Sequence, residues 1–349
     1  MQTNHRGAVP AAIAPAVASP KPDPRAAVST RGLLKRFGDV DAVRGIDLDV
    51  ARGETFGFLG PNGAGKSTTI KMLCTLLEPS GGVALVAGHD VQRRRLQVRR
   101  HIGLVFQDPT LDMYLTAEEN LRFHAQLYGV PRGLIGTRMD SVLEVVGLSE
   151  RRRSLVGTFS GGMKRRLEIA RGLLHAPRVL FLDEPTIGLD PQTRASIWEY
   201  IADLRAREDL TIFLTTHYMD EAENCDRIAI MDQGRIVVMD SPDALKAGVG
   251  ADRVSIGTAD DDAAIAALRE RFGIDAGVHD GLVTFRVERG ERFVPRLFAE
   301  LGVPIDTVGV ARPTLDDVFM SWTGRTIRDA ESSAFGNRAA MARMRPGGR

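Results

Sequence analysis

The 349 residues suffice for about two domains, and 43% hydrophobic with 26% charged residues is the balance of an ordinary globular chain. A formal net charge of +1 removes any global electrostatic case for a nucleic-acid partner. No run approaches the roughly 18 consecutive apolar residues of a spanning helix, so a membrane role is expected only through a partner.

Residues 1–28 read as a disordered tail, because the Ala-rich start is broken by Pro10, Pro15 and Pro20 and does not resemble a signal peptide. Strand-like alternation begins near Leu33 and runs through Ala42 to Val50. Thr55–Leu59 is short, apolar and β-prone, a buried strand, and a Gly-rich turn then leads into a helix expected over Lys66–Leu77, ended by the breakers 78–82. Ile102–Phe106 reads as a strand. Thr116 with Glu119 forms a capping box that opens a helix to about Tyr128, and helical segments continue to Leu148. Ser160 opens a helix to Leu174; Val179–Leu182 is a buried strand, Pro191–Arg207 a helix and Thr211–Thr215 a strand. Strands alternating with helices predict an α/β unit with a mostly parallel sheet over 29–245, interrupted by a helical subdomain at about 110–175. From 250 to 324 the order strand, helix, strand, strand, helix, strand, a βαββαβ pattern, predicts a small C-terminal α+β domain, closed by a helix over Leu315–Trp322. Residues 325–349, rich in Arg and Gly, read as a flexible tail. Cys74 and Cys225 lie inside predicted elements without metal-ligand spacing and are expected to be reduced thiols.

Two stretches carry chemistry. Gly60-Pro61-Asn62-Gly63-Ala64-Gly65-Lys66-Ser67 fits the pattern of a phosphate-binding loop, set between a strand and a helix as such a loop requires. Its glycines let backbone N–H groups wrap phosphate at a helix N-terminus, with Thr68 in the first turn. Lys66 is expected at the β- and γ-phosphates of a nucleoside triphosphate and the Ser67 hydroxyl on Mg²⁺. The second is the apolar strand ending in Asp183-Glu184-Pro185. Ligands of parallel sheets bind at strand carboxyl ends, so Asp183 is expected in the Mg²⁺ shell and Glu184 as general base for the attacking water.

The stretch Thr158-Phe-Ser160-Gly161-Gly162-Met163 resembles the signature motif of ATP-binding-cassette (ABC) ATPases, and further stretches match that family in order over about residues 30–240. The resemblance implies that Phe37 stacks on adenine. It also implies that Gln107 links the γ-phosphate and metal site to the membrane partner, that Gly188-Leu-Asp190 crosses to a second subunit, and that His217 contacts the γ-phosphate. It implies a homodimer in which Ser160, Gly161 and Gly162 of one copy close over ATP held by the Lys66 loop of the other. Three departures stand out: Phe159 occupies the place of a commoner Leu, Met163 that of a commoner Gln, and Phe37 that of a commoner Tyr.

With Ala311-Arg-Pro-Thr-Leu-Asp-Asp-Val-Phe319 and Thr323-Gly324, the C-terminal region is similar to daunorubicin-resistance ATP-binding subunits. That likeness implies an ATPase at the cytoplasmic face of the membrane, coupling dimer closure to export of a drug or other hydrophobic compound through a separate permease. Competing readings are an importer or a lipid or polysaccharide exporter, a non-transport ABC ATPase, and an inactive regulatory cassette. A single cassette without sustained heptads weighs against translation and repair ATPases, and intact Glu184 and His217 against an inactive one.

Overall fold

The computed structural model describes residues 21–327 apart from 109, 208, 209 and 280; the rest of both expected tails lies outside the described residues. In chain order the first unit contains β1 (Val28–Phe37), β2 (Val40–Val50), β3 (Thr55–Leu59), α1 (Lys66–Leu73), β4 (Gly81–Val86), β5 (His89–Asp90), α2 (Arg95–His101) and β6 (Ile102–Val105). It continues with α3 (Ala117–Leu127), α4 (Arg132–Val145), α5 (Gly161–Leu173), β7 (Val179–Asp183), α6 (Pro191–Arg207), β8 (Thr211–Thr216), α7 (Met219–Ala222), β9 (Arg227–Asp232) and β10 (Arg235–Asp240).

A six-stranded sheet in the order β10-β9-β3-β8-β7-β6 forms its centre, parallel throughout except at the β10 edge. Every residue of β3, β7 and β8 is buried, the pattern of strands covered on both faces. Phe56, Phe58, Phe181 and Phe213 meet with ring centroids 5.0–5.7 Å apart and join these three strands. A second, antiparallel sheet in the order β2-β1-β4-β5 shares the core through Val28, Leu33, Ile46, Leu48 and Val86. α3, α4 and α5 pack against one another as the helical part. The expected capping box is present: Thr116 Oγ1 accepts from Glu119 N, and Glu119 accepts from Thr116 N.

The second unit, Pro242–Thr326, contains α8 (Pro242–Val249), β11 (Asp252–Thr258), α9 (Asp261–Phe272), β12 (Ala276–His279), β13 (Leu282–Val287), α10 (Gly290–Glu300), β14 (Ile305–Ala311) and α11 (Leu315–Thr323). Its sheet is antiparallel in the order β12-β13-β11-β14, so each βαβ half is split by a strand of the other half. The alternate residues Val254, Ile256, Val283 and Phe285 meet Ala264, Leu268, Leu297 and Leu301 in one apolar core. α8 packs on α11.

Several expectations need correction. The tail expected over 1–28 ends earlier, because Ala27 donates to Val50 O and accepts from Ala87 N, which ties it to both neighbouring strands. The boundary expected near 245 falls at Pro242, since α8 belongs with the second unit. The first helix after the phosphate loop stops at Leu73 rather than Leu77; Thr75 turns into the left-handed region at φ 63° and ends it. β4, α2, β9 and β10 were not expected at all.

Candidate nucleotide site

The sheet order β3-β8-β7-β6 brings four sequence-distant segments side by side at the carboxyl ends of parallel strands: the 60–65 loop, Thr216-His217, Asp183-Glu184 and Phe106-Gln107. Register makes this concrete, with Leu59 beside Thr216, Asp183 beside Thr215 and Val105 beside Leu182. This is the place where an α/β sheet presents a ligand site.

The loop owes its course to two glycines. A Cβ on Gly60 would collide with the carbonyl oxygen of Met231, and one on Gly65, at φ 103°, would stand 2.6 Å from Ala42 O. Gly65 caps α1 with no side chain to satisfy the first-turn N–H groups, which leaves them as donors for an anion. Lys66 is buried at 4% exposure. Its Nζ donates to Gly60 O at 2.6 Å and Pro61 O at 3.1 Å and stands 3.8 Å from Glu184 Oε1.

Ser67 Oγ donates to Asp183 Oδ1 at 2.9 Å, and Thr215 Oγ1 donates to the same oxygen at 2.6 Å. Glu184 is held by its backbone: its N–H donates to Thr215 O and Oγ1, each at 3.1 Å. Its φ of 49° is left-handed, a strained setting for a residue with a side chain, and it turns the carboxylate away from the line of the strand. His217 Nδ1 lies 3.5 Å from Glu184 Oε1. Burial pushes the Glu184 carboxyl up, but the His217 contact and the Lys66 charge outweigh it and hold it below the usual carboxylate range. Glu184 is therefore ionised at neutral pH, and its Oε2 is buried without a hydrogen-bond partner among the described residues. A buried carboxylate oxygen with spare acceptor capacity is suited to take a proton from water.

The oxygen pair on Ser67 and Asp183 is a hard donor set that fits Mg²⁺. Among the described residues no group of three or more His, Cys, Asp or Glu could hold a metal by itself.

The other expected residues stand apart from these contacts. Gln107 is exposed just beyond β6. Ser160 caps α5, accepting from Met163 N at 3.2 Å, and Ser160 and Gly161 are exposed whereas Gly162 is buried. A cavity of about 130 Å³ beside Ser160 is lined by Met163, Arg166, Thr193 and Tyr200. The Asp190 carboxylate accepts from Thr193 N and Oγ1 at 2.9 and 2.6 Å, so it caps α6. Phe37 is 49% exposed at the end of β1, with Lys35 Nζ 5.0 Å from its ring centroid.

Sequence reading missed Arg165. It donates from Nε to Pro185 O, from Nη1 to Phe106 O and Glu168 Oε2, and from Nη2 to Asp183 O and Glu184 O. One guanidinium thus fixes the backbone on both sides of the site. Glu168 balances it at 3.0 Å and takes the Thr110 N–H at 2.8 Å. The i,i+3 spacing of Arg165 and Glu168 was the available signal, though the same spacing also describes a solvated helix face.

The ABC transporter family model matches residues 43–187. Daunorubicin resistance ATP-binding protein DrrA3 of Streptomyces coeruleorubidus is 41% identical over 313 residues, covering 87% of this chain and 98% of that protein. The chain belongs to the ATP-binding subunits of ABC transporters. Linearmycin resistance ATP-binding protein LnrL of Bacillus subtilis is 37% identical over 311 residues, covering 86% of this chain and all of that protein. The solved cbiO1 of Clostridium perfringens, part of the cbiONQ transporter complex, superimposes with a TM-score of 0.60 at 31% identity, over 64% of this chain and 91% of its own. A dimeric cassette in a post-hydrolysis state with ADP and Pi matches with a TM-score of 0.56 at 25% identity, over 61% of this chain and 98% of its own. As an ABC subunit the chain binds ATP and hydrolyses it to drive transport. Among its described residues no helix is long and apolar enough to cross a membrane.

Proposed function

We propose that this ABC subunit powers export of an antibiotic or other hydrophobic compound through a separate permease, working as a homodimer at the cytoplasmic face of the membrane. The observation that carries the catalytic half of this reading is the Glu184 setting: an ionised, buried carboxylate with an unpartnered oxygen, flanked by Lys66 and His217. The export half rests on likeness to proteins named for resistance to daunorubicin and linearmycin over nearly the whole chain. Nod factor export ATP-binding protein I of Cupriavidus pinatubonensis, 36% identical over 329 residues, keeps a different exported compound open as a second reading.

In this reading the 60–65 backbone and the N-terminus of α1 hold the phosphates of ATP, with Pro61, Asn62, Ala64 and Thr68 shaping the loop and Lys66 neutralising the β- and γ-phosphates. Ser67 and Asp183, with Gln107, would hold Mg²⁺, which would screen the phosphate charge. Glu184 accepts a proton from the attacking water, and His217 orients Glu184 and the terminal phosphate. Phe37 offers a ring to adenine. The Ser160–Gly162 turn, exposed at Ser160 and Gly161, and Asp190 meet the nucleotide of a second copy, so ATP favours the closed dimer and hydrolysis releases it.

The test is Glu184→Gln in the full chain. Turnover should fall about 100-fold or more while ATP still binds, and ATP should accumulate a stable dimer. Ser160→Arg should abolish that dimer without abolishing ATP binding. Wild-type turnover in Glu184→Gln would sink the base assignment, and undiminished dimerisation in Ser160→Arg would sink the shared site. Co-purification from native membranes, with identification of the permease and its bound compound, tests the export reading.

A further inference from the structure

A second carboxylate is buried next to the one just described. Glu221, on α7 four residues after His217, is 1% exposed. Its Oε1 accepts a hydrogen bond from Thr186 Oγ1, and Thr186 is fully buried two residues after Glu184. Its Oε2 has no hydrogen-bond partner among the described residues. Burial pushes the Glu221 carboxyl above the usual range, against the Thr216 hydroxyl and the nearby Arg194 and His217 charges.

The surroundings join two loops. The Thr186 carbonyl accepts from Leu189 N at 3.1 Å, so Thr186 sets the start of the 186–190 turn that ends in Asp190. On the other side, the His217 and Tyr218 rings lie 4.1 Å apart at a tilt of 38°, and the Arg194 guanidinium of α6 lies 4.1 Å over the Tyr218 ring. A buried carboxylate is costly to hold and adds little stability over an apolar residue of similar size. Its placement between the base-bearing turn and the His217 segment therefore calls for a role in geometry.

We infer that Glu221 is a positioning residue for ATP hydrolysis: its carboxylate holds Thr186, and so locks the turn carrying Glu184 and leading to Asp190 in register with the segment carrying His217. It touches neither nucleotide nor the reacting water, and the inference rests on the roles given above to Glu184 and His217. The needed chemistry is a hydrogen-bond acceptor at Oε1, which an amide oxygen also supplies.

The test compares Thr186→Val, Glu221→Leu and Glu221→Gln in the full chain with Mg-ATP, reading kcat, KM for ATP and melting temperature. Thr186→Val keeps the shape and removes the donor; kcat should fall about tenfold, with KM within about twofold. Glu221→Leu should lose kcat to the same degree, and the double variant should lose no more than either alone, because both remove one interaction. Glu221→Gln should keep kcat within about threefold, the rescue that marks an acceptor role. Wild-type kcat in Thr186→Val, or losses that multiply in the double variant, would overturn the inference. Should Glu221→Leu fail to fold, Thr186→Val decides alone. Glu184→Gln run in parallel separates the two claims: turnover abolished there but intact in Thr186→Val removes only the role of Glu221, whereas turnover intact in Glu184→Gln removes the reading beneath it.

Discussion

The two units bury different things. Every fully buried polar or charged side chain among the described residues, from Ser29 to Glu221, lies in the ATP-binding unit; the second unit closes over an apolar core of Val254, Ile256, Leu268, Phe285 and Leu297. The sheets differ likewise. β3, β7 and β8 are buried end to end, while β12 and β14 are mostly exposed. Burying Lys66, Arg165, Glu168, Asp183 and Glu184 costs desolvation that an apolar core does not incur, and it recovers the cost only when each group is paired. The first unit is thus built around a charged site and spends stability on its geometry, and the second is built for packing.

The sharpest way to break this contrast is to remove one member of the buried charge network. Glu168→Ala leaves Arg165 and Arg171 without their shared carboxylate, at 3.0 and 3.9 Å. A loss of about 3–5 kcal/mol is expected, together with a fall in kcat, because Arg165 also holds the backbone of Asp183, Glu184 and Phe106. Chemical denaturation with an ATPase assay at low temperature checks it; a loss under about 1 kcal/mol would mean the network is not paired as described.

The matching cut in the second unit is Phe285→Ala. Phe285 is 3% exposed in a core without charges. A loss of about 3–4 kcal/mol from that unit is expected, with KM for ATP unchanged. A similar total cost with no change at the nucleotide would show that burial of like magnitude serves different ends in the two units. A raised KM would blur the contrast.

A smaller probe uses a feature the units share. Thr116 with Glu119 and Thr314 with Asp317 form capping boxes at the heads of α3 and α11. Thr116→Ala and Thr314→Ala should each cost about 1 kcal/mol, measured by urea denaturation, since a cap depends on local backbone donors rather than on the core beneath. Unequal costs would show that the surroundings of one cap matter as much as the cap.

These comparisons also separate what was legible in the sequence from what was not. The βαββαβ order of the second unit was readable because its central strands β11 and β13 alternate inward and outward residues and its helices have clear ends, such as Gly273 at φ 66° closing α9. α6 and the capping box at Thr116 were readable for the same local reasons. The loop before α1 and the end of β7 at Asp183 were legible because a Gly-rich turn after an apolar run, and an apolar run ending in two carboxylates, mark those places locally. β4 was not, because it opens on Gly81 and Gly82 inside a stretch that reads as a break. β10 is a half-buried edge strand with weak alternation. The contacts of Arg165, Glu168, Thr186 and Glu221 were hidden for a deeper reason. A charged or hydroxyl side chain in a sequence is presumed solvated, and only the sheet order that sets β6, β7 and β8 side by side shows that these four are buried together.

The smallest expected effect tests whether the ATP-binding unit carries a burden of buried polar groups beyond its site. His124 on α3 is pulled down to about 4, mainly by burial and further by Arg171, and its Nδ1 has no hydrogen-bond partner among the described residues. The folded value lies below the unfolded one of about 6.5, so the native chain holds this ring neutral while the unfolded chain takes the proton first. Stability from this group is full above about pH 6.5 and is lost as pH falls toward 4. Because the ring is only partly buried, solvent screening limits the effect to about 1 kcal/mol. His124→Gln, which cannot take up that proton, should flatten this part of the acid limb of the stability curve and leave the neutral value nearly unchanged. Urea midpoints at pH 7, 6 and 5 measure it. A variant that loses stability with acid as steeply as the wild type would place the acid sensitivity elsewhere and confine the unit's buried polar burden to the charges around Lys66, Arg165 and Glu184.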